Sequence, residues 1–320
     1  MATVLVTGGL GFIGSHIADA CAERGDKTVS VDDLSTGREE HGNPRVINHR
    51  VDITDISALE PVFAALKPDI VFHTAALARI QPSFDRPGRF FDVNALGTRH
   101  MLTLAKRYGV KRVVYSASSS AYGEQERMPL AETMSVSSQA LNPYASTKRM
   151  GEMLMRDMGK ATGGSETVCL RYFNVYGPRQ STTADGPYAT VVGIFLDQAR
   201  QGKPLTVVPD GHQRRDFTHV SDVARANLLA ASSAKVGDAE IINIGASDNR
   251  SVWEVAALAL GLPSDTPDEE LARSGACVLL PPRRGEMRET LADISRAREL
   301  LGWEPGISFE EGIARLRTAA

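Results

Sequence analysis

Thr7-Gly8-Gly9-Leu10-Gly11-Phe12-Ile13-Gly14 follows the β-branched run Thr3–Thr7 directly and opens a stretch in which Ile13, Ile17 and Cys21 recur every four residues. That recurrence lays one apolar stripe along a helix face, so the segment reads as strand, tight turn, helix. Glycine at 8, 11 and 14 suits the turn. The chain must reverse sharply, its backbone must approach a pyrophosphate closely, and the helix must pack near the strand. Turns that bind nothing carry the same pattern, so its surroundings decide the reading. Cys21, on the apolar stripe, reads as core packing.

The surroundings repeat the alternation. Strands are expected near Thr3–Thr7, Thr28–Asp32, Val46–His49, Ile70–His73, Arg112–Ser116 and Thr167–Arg171, most separated by helical stretches. This is the rhythm of βαβ units, and it predicts an α/β chain with a Rossmann-type, doubly wound parallel sheet over residues 1–170. After Arg171 the pattern breaks into a Gly/Pro-rich stretch and shorter elements. Residues 171–320 are therefore expected to form mainly a smaller α/β substrate-binding lobe, with segments near 214–246 returning to the first domain.

The second strand ends in Val31-Asp32-Asp33, with Asp32 placed 18 residues beyond Gly14. A carboxylate there accepts both adenosine ribose hydroxyls and repels a 2′-phosphate, which predicts NAD rather than NADP. Asp52, after the third strand, is placed to reach the adenine amino group, although a plain turn acid fits it equally well.

Bulk composition narrows the partners. The 320 residues carry 36 Lys+Arg against 39 Asp+Glu, a net charge of −3, so no global field recruits nucleic acid or an anionic membrane, and any anion needs a local site. Hydrophobic residues make up 42% and charged residues 23%, ordinary globular usage that excludes extended disorder. The three cysteines, at 21, 169 and 277, fit neither a disulfide framework nor a metal cluster. No apolar run is long enough to span a membrane, and the start lacks a basic signal-peptide region. A reducing cytoplasm is the expected location.

Asn142-Pro143-Tyr144-Ala145-Ser146-Thr147-Lys148 sets a tyrosine and a lysine four apart at the start of a helix, on one face. A phenol becomes a base near neutrality when an ammonium and a nicotinamide cation stabilise its phenolate. Upstream, Ser116-Ala117-Ser118-Ser119-Ser120 follows the fifth strand, bringing hydroxyls to the carboxyl end of the sheet. On composition alone that run is equally a flexible loop.

With these residues in hand the chain resembles an extended short-chain dehydrogenase/reductase of the NAD-dependent nucleotide-sugar epimerase/dehydratase family, closest to the 4-epimerases of UDP-hexoses and UDP-N-acetylhexosamines. The resemblance runs through Asp52-Ile53, His73-Thr74-Ala75-Ala76, Asn94-Ala95-Leu96-Gly97-Thr98, Arg171-Tyr172-Phe173-Asn174, Arg215-Asp216-Phe217 and Arg283-Arg284-Gly285-Glu286. It implies that Ser118, Tyr144 and Lys148 are catalytic. It also implies that Phe12, Ile13, Asp33, Ile53, Ala75, Ala76, Asn94, Ser116 and Tyr172 join the glycines, Asp32 and Asp52 around the cofactor, with Tyr144 and Lys148. Ser118, Ser119, Ser120, Tyr144, Asn174, Val207, Arg215, Arg283 and Thr290 are the implied sugar-nucleotide contacts, and a homodimer is the implied assembly.

Departures from the family pattern discriminate within it. Related dehydratases carry an Asp-Glu pair after the catalytic hydroxyl, because elimination needs an acid and a base; Ser119-Ser120 stand there instead. Uronate-specific members need a cation over C6, and the sequence does not visibly place one. Thr290 stands where members restricted to UDP-glucose/galactose carry tyrosine, which with the serine triplet predicts UDP-GlcNAc/UDP-GalNAc interconversion, with UDP-glucose/galactose as a second activity. Pro209 replaces the usual glycine near the base. A dehydratase or reductase, and a non-catalytic NAD-sensing scaffold, are the competing readings.

Overall fold

The computed structural model describes residues 1–136, 140–283 and 285–319. The first repeat is β1 (Thr3–Thr7), α1 (Phe12–Glu23) and β2 (Lys27–Asp32). Next come β3 (Ile47–Arg50), α2 (Ile56–Leu66), β4 (Ile70–His73), the short helices α3 (Ile80–Asp85) and α4 (Pro87–Phe91), α5 (Gly97–Arg107), β5 (Arg112–Ser118), α6 (Pro143–Asp157) and β6 (Glu166–Tyr172). These strands and a later one, Asp238–Ile244, build a seven-stranded sheet that is parallel at every pairing. Thr3 stands opposite Lys27, Val4 opposite Ile70 and Val113 opposite Thr167.

The sheet is buried on both faces, as helices on each side require. Val4, Val6, Val114 and Val168 enter one apolar layer with Ile17 and Cys21 of α1. Leu5, Val71, Val113 and Cys169, one residue out of phase, enter the other with Leu59, Phe63 and Leu104. That split is the two-residue period of a strand. The order along the sheet reverses direction at β1, which opens a crevice at the strands' carboxyl ends between β1 and β4.

Past β6 the chain forms β7 (Asn174–Tyr176), α7 (Val191–Arg200), β8 (Leu205–Val207) and β9 (Arg214–His219), then α8 (Val220–Ser232), β10 (Asp238–Ile244), β11 (Asn249–Ser251), α9 (Val252–Leu260) and β12 (Cys277–Leu279). The segment 214–246 divides. β10 joins the large sheet beside β6 and α8 packs against α1, whereas β9 is the middle strand of a small sheet between β11 and β7. That sheet and the β8–β12 pair enclose a separate core of Tyr176, Phe195, Phe217, Trp253 and Phe309.

Met101 and Leu104 of α5 are fully buried, because they form the apolar face that α5 turns to the sheet. Leu154 of α6 packs partly against the same core. The exposed apolar groups of this region are Phe91, Leu96, Met150 and Met153. Among the described residues no helix is long and apolar enough to cross a membrane.

Candidate active site

A cleft of about 460 Å³ runs from the β1–α1 turn to the small lobe, a size suited to small-molecule recognition. At one end lie Gly8, Gly11, Phe12, Ile13 and Gly14. Gly8 has φ +67°, a conformation side chains disfavour, and a Cβ there would stand 2.9 Å from the backbone of Ala75. A Cβ on Gly14 would lie 2.0 Å from the Gly8 carbonyl oxygen. The turn closes only because both lack side chains. Gly11 caps α1 without any side-chain hydrogen bond, which leaves the first amides of the helix for a ligand. Such amides, at the positive end of the helix dipole, suit a pyrophosphate.

Asp32 and Asp33 line the cleft where β2 ends. Asp32 accepts hydrogen bonds from the amides of Leu10 at 3.0 Å and Leu34 at 2.9 Å, so it fastens the glycine turn to the loop after β2. Burial pushes its carboxyl above the usual range, against the pull of those amides. Asp52 and Ile53 also line the wall. Burial disfavours the Asp52 carboxylate, but hydrogen bonds from Arg89, at 2.9 Å, and from Thr54 hold it below the usual range on balance.

The middle of the cleft gathers a hydroxyl, a phenol and an amine. Asn142 accepts the Ala145 amide at 2.8 Å, and Pro143 occupies the first turn, so α6 starts where the sequence signals it. From there Tyr144 and Lys148 face the cleft beside Ser116 and Ser118 at the end of β5. The Lys148 Nζ donates to the Ser116 carbonyl at 2.8 Å and lies 5.1 Å from the centre of the Tyr115 ring. Burial lowers its pKa to about 7, opposed by the Glu152 carboxylate one turn along the helix. Burial likewise pushes the Tyr144 phenol up, while hydrogen bonding to Ser118 and the charge of Arg79 pull it down. Ser120 Oγ donates to Ser118 Oγ at 2.8 Å, and Ser119 and Ser120 are buried beside it.

Below this floor, His73 touches Thr7 Oγ1 through Nδ1 at 2.8 Å and Thr98 Oγ1 through Nε2 at 2.9 Å. Burial, with Lys148 nearby, lowers its pKa to about 3, so it is a neutral strut. Ala75, Ala76 and Tyr172 are on the wall, but Asn94 is not. The Asn94 amide exchanges hydrogen bonds with both backbone groups of Leu77 and donates to Thr147 Oγ1 at 3.0 Å, so it ties the loop after β4 to α6 from behind.

At the small-lobe end Asn174, Arg215 and Arg283 line the cleft. The Arg215 guanidinium lies 3.6 Å from Glu286, which shares the wall. Val207 and Thr290 do not reach it. Val207 is fully buried, because the alternation of β8 turns Thr206 and Val208 to the cleft in its place. Thr290 is also buried, and its Oγ1 accepts the Asp216 amide at 3.3 Å. Arg284 lies outside the described residues.

Two charged wall residues were given no role by the sequence reading, Arg79 and Glu286. Glu286 stood inside a quoted motif as a pattern match only. Arg79 belongs to no pattern, and only the fold brings it to the cleft wall.

A dinucleotide turn feeding a Ser–Tyr–Lys constellation defines an enzyme of the short-chain dehydrogenase/reductase class. The NAD dependent epimerase/dehydratase family model matches residues 4–245, and the chain belongs to that family. It is 34% identical over 320 residues to the UDP-glucose 4-epimerase of Mycolicibacterium smegmatis, covering 97% of this chain and 96% of that one. Of solved structures, the UDP-glucose 4-epimerase of Thermotoga maritima with UDP-glucose superposes with a TM-score of 0.88 at 35% identity, covering 99% of each chain. The UDP-N-acetylglucosamine 4-epimerase of Methanobrevibacter ruminantium, in complex with UDP-N-acetylmuramic acid, gives 0.85 at 32%, covering 99% of this chain and 97% of that one. NAD is the cofactor, and the side-chain-free turn at Gly8 and Gly14 fits its pyrophosphate.

Proposed function

We propose that the protein interconverts the C4 epimers of UDP-hexoses, UDP-GlcNAc/UDP-GalNAc first and UDP-glucose/UDP-galactose second. NAD, when bound, supplies the oxidant that takes up and returns the C4 hydrogen. Tyr144 Oη takes the proton of the 4-hydroxyl, Ser118 Oγ holds that oxygen, and the Lys148 ammonium stabilises the phenolate. The 4-keto sugar turns over, so that the hydrogen comes back to the other face of C4 while Tyr144 returns the proton to the C4 oxygen. Binding energy is expected to come from the diphosphate, through Arg215, Arg283 and Asn174, because the hexose must be free to rotate.

One observation carries the reading: the hydroxyls of Ser119 and Ser120 lie beside Ser118 where an acid–base pair would be needed to eliminate water. Their small side chains also favour a 2-acetamido group. Thr290 bears on that group only through the Asp216 backbone it packs against. The exposed Phe91, Leu96, Met150 and Met153 fit a homodimer face formed by α4–α6.

Incubation of the pure protein with UDP-GlcNAc, followed by mass spectrometry and proton NMR of the anomeric region, tests the reading. A C4 epimer of unchanged mass is expected. Loss of water, or a demand for added NAD(P)H, would overturn it.

A further inference from the structure

Asn142, buried at the start of α6, uses both ends of its amide. Its Oδ1 accepts the Ala145 amide at 2.8 Å and caps the helix, a task that Ser, Thr or Asp performs as well. Its Nδ2 donates to the Gly285 carbonyl at 3.2 Å, 143 residues along the chain, and that task needs the nitrogen end of an amide. Gly285 is fitted to the contact. Its φ of +75° is a conformation that favours glycine, and a Cβ there would lie 2.9 Å from Phe84 Cζ of α3 and 3.3 Å from the Leu141 carbonyl oxygen. The loop backbone is thus pressed against the entry to the helix that carries Tyr144.

What the loop carries gives the contact a consequence. Arg283 stands two residues before Gly285 and Glu286 one residue after it, and both line the cleft. On the far side Glu286 lies 3.6 Å from Arg215 of β9. The loop therefore bridges from α6 to β9, with Asn142 holding one end. Asn142 is not part of the cleft wall, so any effect it has on a ligand passes through the loop. We propose that Asn142 is a positioning residue: by holding Gly285 it fixes how far Arg283 stands from Tyr144, and so sets the affinity for the diphosphate. This rests on the epimerase reading, in which Arg283 grips the diphosphate while C4 is presented to Tyr144 from either face, so the span between the two must not drift.

Two substitutions separate this role from capping. Asn142→Ser keeps an N-cap oxygen and removes the nitrogen that reaches Gly285, whereas Asn142→Ala removes both. In the NAD-loaded protein, UDP affinity by calorimetry is expected to fall about 3- to 10-fold in both variants, with the KM for UDP-GlcNAc rising in step. Denaturant stability is expected to fall in Asn142→Ala alone. In an Arg283→Ala background, Asn142→Ser is expected to lower UDP affinity by less than about twofold more, because the two residues act through one loop. UDP affinity kept in Asn142→Ser confines Asn142 to capping and overturns the proposal, as does a full additive loss in the Arg283→Ala background. Absence of any epimer from UDP-GlcNAc and UDP-glucose overturns the epimerase reading instead, and the UDP titrations still decide the role of Asn142.

Discussion

The Lys148 ammonium is held by the Ser116 carbonyl oxygen at 2.8 Å, two residues before Ser118 on the same strand. One hydrogen bond therefore fixes the register between α6, which carries Tyr144 and Lys148, and β5, which carries Ser116 and Ser118. The Ser118 hydroxyl, the Tyr144 phenol and the Lys148 ammonium are placed by two rigid elements, the arrangement that would keep the proposed reacting groups oriented.

Tyr144→Phe removes the proton acceptor and leaves the ring against Phe90, which lies edge-on at 6.4 Å between centroids. Turnover of UDP-GlcNAc is expected to fall by about 10²- to 10⁴-fold, with NAD affinity measured by calorimetry nearly unchanged. Full residual activity would remove Tyr144 from its role as base.

Asp32→Ala removes the carboxylate at the end of β2. NAD affinity is expected to drop about tenfold or more, and the preference over NADP to narrow, since the 2′-phosphate no longer meets a negative charge. Titration with both dinucleotides reads this out. An unaltered NAD/NADP ratio would show that Asp32 serves only the Leu10 and Leu34 amides it already accepts.

Much of this was legible in the sequence, and the residues show why. Strand periodicity and the glycine spacing are local properties, so the six anticipated strands fall within two residues of the observed bounds at every end. Side chains on the sheet's carboxyl edge followed from that topology. Val207 was misplaced because a one-residue shift in a three-residue strand exchanges core for cleft. Asn94 carries an amide that suits a ligand or a scaffold equally, and only its contacts to Leu77 and Thr147 decide. Arg79 acquires meaning from Tyr188, 109 residues away in the chain, and no local pattern encodes such a meeting.

His73 offers a pH signature. Its folded pKa, about 3, lies below the ordinary imidazole value of 6.5. As pH falls through that window the unfolded chain takes up a proton that the folded protein refuses, so stability falls, with a slope approaching about 1.4 kcal/mol per pH unit. His73→Gln cannot titrate. Urea unfolding at several pH values between about 6.5 and 4 is expected to show the wild-type advantage over His73→Gln shrinking as pH falls. A constant difference would mean that His73 is not buried neutral.

Met150 and Met153 are 43% and 52% exposed on α6, large apolar groups with no cover within the chain. If they form part of a homodimer face, Met153→Asp is expected to shift the protein to a monomer in sedimentation velocity while sparing NAD binding. A wild-type protein that is already monomeric at micromolar concentration would reject that face.

Glu152 and Arg171 form a buried, two-pronged ion pair, at 2.7 and 2.8 Å, directly behind the active-site floor. The Arg171 guanidinium also lies 4.5 Å from the centre of the Tyr122 ring, and its Nη1 has no hydrogen-bond partner among the described residues. Among the described residues Glu152 is the carboxylate in ion-pair contact with Arg171. Glu152→Gln therefore leaves a buried cation uncompensated, with an expected loss of about 3–5 kcal/mol by denaturant unfolding. The same carboxylate raises the pKa of Lys148, against burial, so its removal should also ease deprotonation of the lysine. Loss of the Lys148 charge then begins at lower pH, and the alkaline limb of the kcat profile is expected to move to lower pH in Glu152→Gln. A variant that loses stability with an unmoved alkaline limb would confine Glu152 to holding Arg171.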